Sequence, residues 1–169
     1  LNYFKSKNIE DVLINEFKNK RIVGLFNGRM EFGPRALCNR SILYHCKDVS
    51  INQWINDKLH RTEFMPFAPV TIEELAQRCF VRWDKSHKCS EFMTMTYKCK
   101  NLLKIKSPSV VHVDGTARPQ IISIKDNSLM YDILSKWYDK TKQYCLLNTS
   151  FNHHEEPIVC SPNDAIKSF

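Results

Sequence analysis

The stretch Gly28-Arg29-Met30-Glu31-Phe32-Gly33-Pro34-Arg35-Ala36-Leu37-Cys38-Asn39-Arg40-Ser41 puts three guanidinium groups and one carboxylate into a short polar segment. Cations this crowded repel one another unless an anion lies among them, and Glu31 can offset only one. The planar fork of arginine suits bidentate contact with phosphate or carboxylate. The chemistry predicted here is the holding of a small polyanion such as an oligophosphate. A solvated loop with exposed arginines is the plain alternative. It accounts less well for Arg61, which precedes Pro66-Phe67-Ala68-Pro69, and for Arg118, which follows the polar turn His112-Val113-Asp114-Gly115-Thr116-Ala117.

A further polar segment, Leu147-Asn148-Thr149-Ser150-Phe151-Asn152, leaves an apolar run with two amides and two hydroxyls. Such a segment offers donors and acceptors, with free backbone N–H groups, to a phosphate or an adenine edge. Turn formation alone could account for Asn and Ser, though not for Phe151 among them. Glycine is scarce, four in the chain, and Gly28, Gly33 and Gly115 stand in the polar turns beside these arginines. Positive φ or close approach to a ligand is what glycine supplies there.

Other chemistries find less support. His153 and His154 are adjacent with no third ligand at useful spacing, which argues against zinc. His60 and His112 read as structural or supporting residues. Cys38 and Cys160 lie near the predicted site, but no Cys–His–acid arrangement is legible. Neither a G-x-x-x-x-G-K-S/T loop nor a G-x-G-x-x-G turn occurs, so any ATP binds without a P-loop. Seven cysteines, an odd number without C-x-x-C spacing, read as reduced core thiols of a cytoplasmic protein.

The net charge of +7 favours anionic partners, among which nucleic acid, a membrane surface and small phosphates all qualify. The lysines, spread over 5–20, 98–106 and 136–142, read as solvent-facing; the arginines read as site. No apolar run reaches the roughly 20 residues that span a membrane, and the N-terminus lacks signal-peptide character. Leu1 in place of an initiator Met, and a last helix begun just before Phe169, read as the ends of a piece of a longer protein.

The elements that must position these residues alternate between the two periodicities. Helices are expected over 9–19, capped by Asn8, over 51–59 with Ile51, Trp54, Ile55 and Leu59 inward, and over 129–140 capped by Asn127 or Ser128. A last helix opens at Pro162, with Ser161 as cap. Strands are expected over 21–26, 41–44, 70–72, 110–113, 120–124 and 144–147. Residues 98–106 read as a basic connector, with Lys104 exposed. The fold class is mixed α/β, a twisted open mixed sheet with flanking helices, in a single domain over 1–169.

Five motifs in order, GRMEFGPRAL with NRS at 39–41, RTEFMPFAPV at 61–70, HVDGTARPQ at 112–120, NTSFN at 148–152 and EPIV at 156–159, resemble the C-terminal domain of NodU/CmcH-type O-carbamoyltransferases. The resemblance runs from about residue 22 to residue 169. It implies a YrdC-like domain that binds ATP and carbamoyl phosphate. Such a domain releases phosphate to leave carbamate and joins that to the α-phosphate of ATP as carbamoyl adenylate. A separate N-terminal Kae1-like transferase domain, holding a metal through a His-x-His motif, would then carbamoylate a hydroxyl; that half is absent from this chain.

The resemblance assigns Arg35, Arg40, Arg61 and Arg118 to an electrostatic clamp. Ser41, Lys58, Asn148, Thr149, Ser150, Phe151 and Asn152 fall to nucleotide and carbamoyl binding, with Mg²⁺ accompanying ATP through its phosphates. Many relatives have Gly where this chain has Cys38 and Glu155. Lys58 stands one place early against the family pattern. A YrdC-like RNA-binding module, or a nucleotide sensor without catalysis, is the rival reading. No aromatic-basic stacking pattern supports the RNA version.

Overall fold

A computed structural model describes residues 4–60 and 66–169. Arg61, and with it the RTEF part of the second motif, lies outside the described residues.

The chain folds into a five-stranded mixed sheet flanked by helices, the twisted α/β architecture expected of a YrdC-like domain. The strands β1 (Val23–Phe26), β2 (Arg40–His45), β3 (Ala68–Ile72), β6 (Gln120–Ile122) and β7 (Leu146–Ser150) lie in the spatial order β1-β2-β7-β3-β6. Neighbours are antiparallel except for β3 and β6, which run parallel. Two short strands, β4 (Tyr97–Lys98) and β5 (Thr116–Ala117), pair separately. Strands β2 and β3 are buried end to end, as strands covered on both faces must be, and the central β7 is buried up to Asn148.

The helices follow their apolar spacing. In α1 (Ile9–Lys18) Leu13, Ile14 and Phe17 turn inward, and in α5 (Ser128–Thr141) Met130, Ile133, Leu134 and Trp137 do so. The two helices meet through Phe17 and Trp137, edge to face at 5.9 Å. Asn127 caps α5 by accepting the Met130 N–H at 3.0 Å. Ser161 and Asp164 close a reciprocal capping box on α6 (Pro162–Ser168), with Pro162 in the first turn. At α1 the expected side-chain cap is absent; the Asn8 N–H instead donates to Ser6 Oγ.

Four expectations need correction. Residues 110–113 form no strand: a 3-10 turn, Pro108–Val110, leads into a tight loop in which the His112 N–H donates to Thr116 O at 2.7 Å and Val113 stands fully in solvent. The strand that lies beside β3 is β6 instead. The connector at 98–106 contains α4 (Asn101–Lys106), which buries Leu103, and Lys104 is half-buried with its ammonium close against Gly115. A helix not anticipated, α3 (Glu73–Cys79), buries Leu75, Ala76 and Cys79 at i, i+1, i+4 spacing. On α2 (Ser50–Lys58) Trp54 is half exposed, and the buried face is made by Ile51, Asn52, Ile55 and Asn56.

Candidate functional site

The register of the sheet brings residues of four of the five motifs to one edge. Ser150, at the end of β7, faces Ser41 near the start of β2. Asn148 pairs with Ala68, which begins β3. Gln120, which begins β6, pairs with Val70. Arg118 immediately precedes β6, and the loop 27–39 that leads into β2 arrives at the same edge.

There, a cavity of about 70 Å³ is lined by Arg35, Arg118, Asn148, Thr149 and Ser150, with Pro34, Ala36, Pro66, Ala68 and Met93 as its apolar walls. A second cavity of about 370 Å³ shares Pro34, Arg35, Met93 and Arg118 with the first and adds Phe32, Leu37, Phe92 and Thr94. Arginines far apart in sequence thus meet around one hollow.

The loop that delivers Arg35 is held by Glu31. Its Oε1 accepts the backbone N–H groups of Leu37, Asn39 and Arg40 at 2.5, 2.7 and 3.2 Å. The sole acid of the stretch therefore organises the loop and does not neutralise its cations. Gly28 and Gly33 adopt φ of +49° and +113°, conformations that favour glycine. Cys38 and Glu155, non-glycine residues, adopt +74° and +64°. The cost of that left-handed geometry at Cys38 is offset by its buried contacts: its N–H donates to Ser41 Oγ and its thiol to Gln120 Oε1. Burial, and then the Glu31 carboxylate, pushes the Cys38 thiol well above its usual range, so it is no nucleophile.

The electrostatics of the cavity are unbalanced. Arg118 is partly buried and its Nε has no hydrogen-bond partner. Desolvation, and then the nearby Arg35 guanidinium, shift its pKa downward. No carboxylate among the described residues pairs with either arginine. Beside them Asn148, 1% exposed, donates its amide N–H groups to Gln120 Oε1 at 2.8 Å and to Ala36 O at 3.2 Å. Those acceptors fix the amide's orientation and leave Oδ1 buried without a partner. Two cations thus line the hollow, and one orphaned acceptor lies buried beside it.

His112 stands close enough to be affected by the Arg118 charge. Burial and then that charge lower its pKa against the opposing pull of Asp114. Its Nδ1 lies 3.1 Å from Thr116 Oγ1, whose hydrogen goes to the Asp114 carboxylate, so the imidazole donates through Nδ1.

Other predicted site residues stand elsewhere. Arg40 is buried in β2, donates to the carbonyls of Asn27, Asn39 and Gly28, and stacks 3.5 Å over the Phe26 ring, so its fork is occupied by the protein's own backbone. The Ser41 hydroxyl is buried and taken by the Cys38 N–H. Phe151 is a core residue, edge to face with Phe169 at 6.1 Å. Lys58 lies on the exposed side of α2 with its ammonium 5.6 Å from the Trp54 ring centroid. Asn152 donates to the carbonyls of His153 and Glu156, closing its own turn. Gln120 and Met93, which the motifs did not single out, are needed by the cavity. Gln120 lay in plain view within the third motif; Met93, in left-handed conformation at φ +53°, gave no signal.

The family model for the carbamoyltransferase C-terminus matches residues 14–169. The chain belongs to that family. This carbamoyltransferase C-terminal domain is 42% identical over 149 residues to an uncharacterised protein of Methanocaldococcus jannaschii, covering 88% of this chain and 24% of the relative. It is 37% identical over 166 residues to the nodulation protein NolO of Bradyrhizobium diazoefficiens, covering 98% and 30%. The nodulation protein U of Rhizobium tropici matches at 35% over 136 residues, covering 80% and 24%. The chain thus spans between about a quarter and a third of the length of these relatives. Full-length HypF, solved in a phosphate- and nucleotide-bound form, superposes with a TM-score of 0.66 at 15% identity over 99% of this chain and 20% of that one. That likeness supports the fold. No helix among the described residues is long and apolar enough to cross a membrane.

Proposed function

We propose that this domain binds carbamoyl phosphate and ATP and joins them into carbamoyl adenylate. The observation that carries the reading is the meeting of Arg35 and Arg118 around a small hollow, beside which the buried Asn148 Oδ1 has no partner. A phosphate group answers the unpaired guanidiniums, and the carbamoyl NH₂ is a donor of the kind that Oδ1 lacks. The 70 Å³ hollow suits a group of carbamoyl or phosphate size, and the adjoining 370 Å³ space suits a nucleotide.

In this reading water cleaves carbamoyl phosphate to carbamate and inorganic phosphate. A carbamate oxygen then bonds to the α-phosphorus of ATP as the bond to pyrophosphate breaks. Every species is anionic, so the two guanidiniums act by stabilising charge that is brought together in the transition state. Among the described residues no three His, Cys, Asp or Glu side chains converge as a cage. Mg²⁺ enters with ATP, held by its phosphates. Transfer to a hydroxyl acceptor belongs to the part of the full-length relatives that this chain does not span. Arg61 keeps its proposed place in the clamp from its motif alone.

The experiment is ATP–pyrophosphate exchange dependent on carbamoyl phosphate. Arg118→Ala and Arg35→Ala should each depress exchange by about 30-fold or more, corresponding to the loss of a charged contact worth roughly 2–5 kcal/mol. Undiminished exchange in either variant, at matched stability, removes that arginine from the clamp. Nucleotide binding without any exchange in the unaltered chain would replace this reading with that of a nucleotide sensor.

A further inference from the structure

Phe32 is fully solvent-exposed, at 105% of its reference area, yet its neighbours fix where it stands. Glu31 is pinned by three backbone N–H groups on one side. On the other side Gly33 turns the chain at φ +113°, and Pro34 restricts it further. An aromatic ring held in water by a constrained frame exposes apolar surface that burial would stabilise. Phe92, half exposed, stands on the wall of the same space, and both rings line the 370 Å³ cavity that also receives Arg35 and Arg118. The lining of this space therefore combines cationic and aromatic groups.

The ligand complementary to such a space is itself divided, with a polyanion at one end and a flat apolar ring at the other. We infer that Phe32, with Phe92 on the wall of the same cavity, is the platform for the purine base of a nucleoside triphosphate whose phosphates reach Arg35 and Arg118. Aromatic side chains suit this task because every base presents a π-face, whichever groups decorate its edge. The two rings also line a neighbouring cavity of about 340 Å³, whose other lining residues include Asn39 and Asn127. The inference rests on the proposed nucleotide site and adds residues that none of the five motifs marked for nucleotide binding.

The test is calorimetric titration of the 169-residue chain with ATP and, separately, with inorganic tripolyphosphate, which keeps the anion and lacks the base. The unaltered chain should bind ATP at least tenfold more tightly than tripolyphosphate. Phe32→Ala should erase that difference by weakening ATP alone, roughly tenfold or more for one lost stacking contact. Phe32→Trp should keep it, and its indole emission should change on addition of ATP and not of tripolyphosphate. Because the ring touches solvent on every side, neither substitution threatens the fold, and matched melting temperatures verify that. ATP affinity unchanged in Phe32→Ala, or equal affinities in the unaltered chain, overturns the platform and leaves the anion site standing. An unaltered chain that binds neither compound removes the nucleotide site and the platform together.

Discussion

Arg35 and Arg40 lie five residues apart in the same polar loop, yet their guanidiniums have different work. Arg35 is exposed at the hollow with no carboxylate partner among the described residues, whereas Arg40 is enclosed by three backbone carbonyls and the Phe26 ring. The clamp is therefore best sought in Arg35 and Arg118, with Arg40 holding the loop that carries Arg35. Arg40→Ala should lower unfolding free energy by on the order of 3 kcal/mol, because it strands buried acceptors as well as removing packing. Arg40→Lys should recover only part of that, since a single ammonium cannot reproduce the planar fork and the stacking. Chemical denaturation of both variants checks this. A variant as stable as the parent would return Arg40 to the list of free cations.

At the scale of elements, the site depends on how closely strands and loops can approach. Gly24 in β1 has an ordinary φ, so its importance is space. A methyl there would lie 2.8 Å from Phe151 Cε1 and 3.1 Å from Phe169 Cδ2. Phe151 in turn follows directly on the strand end that carries Asn148, Thr149 and Ser150, and its N–H donates to Arg40 O. Gly24→Ala should therefore destabilise the chain by roughly 1–3 kcal/mol despite the gain in backbone rigidity. Phe151→Leu in the same background should restore part of the loss, and the thermal melts of the single and double variants measure the coupling. Additive effects would show that the ring and the glycine do not press on each other.

For the molecule as a whole, two histidines, His45 buried and His112 half-buried, set the response to acid. Burial lowers the pKa of both His45 and His112 below that of an ordinary imidazole. His45 reinforces this by accepting the Lys47 N–H at Nδ1, a lone pair that protonation would consume. The unfolded chain then binds protons at a pH where the folded chain does not, so stability rises with pH through that window. The contribution is complete above about pH 6.5, the ordinary imidazole value, and is lost as the pH falls from there through the lowered folded values. Melting temperature should fall between pH 7 and pH 5, and His45→Asn with His112→Gln should flatten that slope. The exposed Asp48 and Asp114, held low by Ser50 and Thr116, act in the same sense only in stronger acid. A melting temperature indifferent to pH over the upper window would remove both histidines from the balance.

The sequence alone determined what depends on neighbours along the chain. The 3.6-residue spacing of α1 and α5, the Asn127 and Ser161 caps, the apolar cores of β2, β3 and β7, and the positive φ at Gly28, Gly33 and Gly115 are local matters of sterics and hydrogen bonding. The five motifs carried the family. What only the tertiary structure decided was which polar groups are left unsatisfied. Val110 to Val113 has every local property of a strand and forms none: its backbone goes into a 3-10 turn and a tight loop in which the His112 N–H donates to Thr116 O. Arg35, Arg40 and Arg118 are alike as residue types. Whether each guanidinium finds carbonyls, a ring or the hollow is fixed by segments distant along the chain, as in the contact of Asn148 with Ala36 beside Arg35, and no short window contains that information.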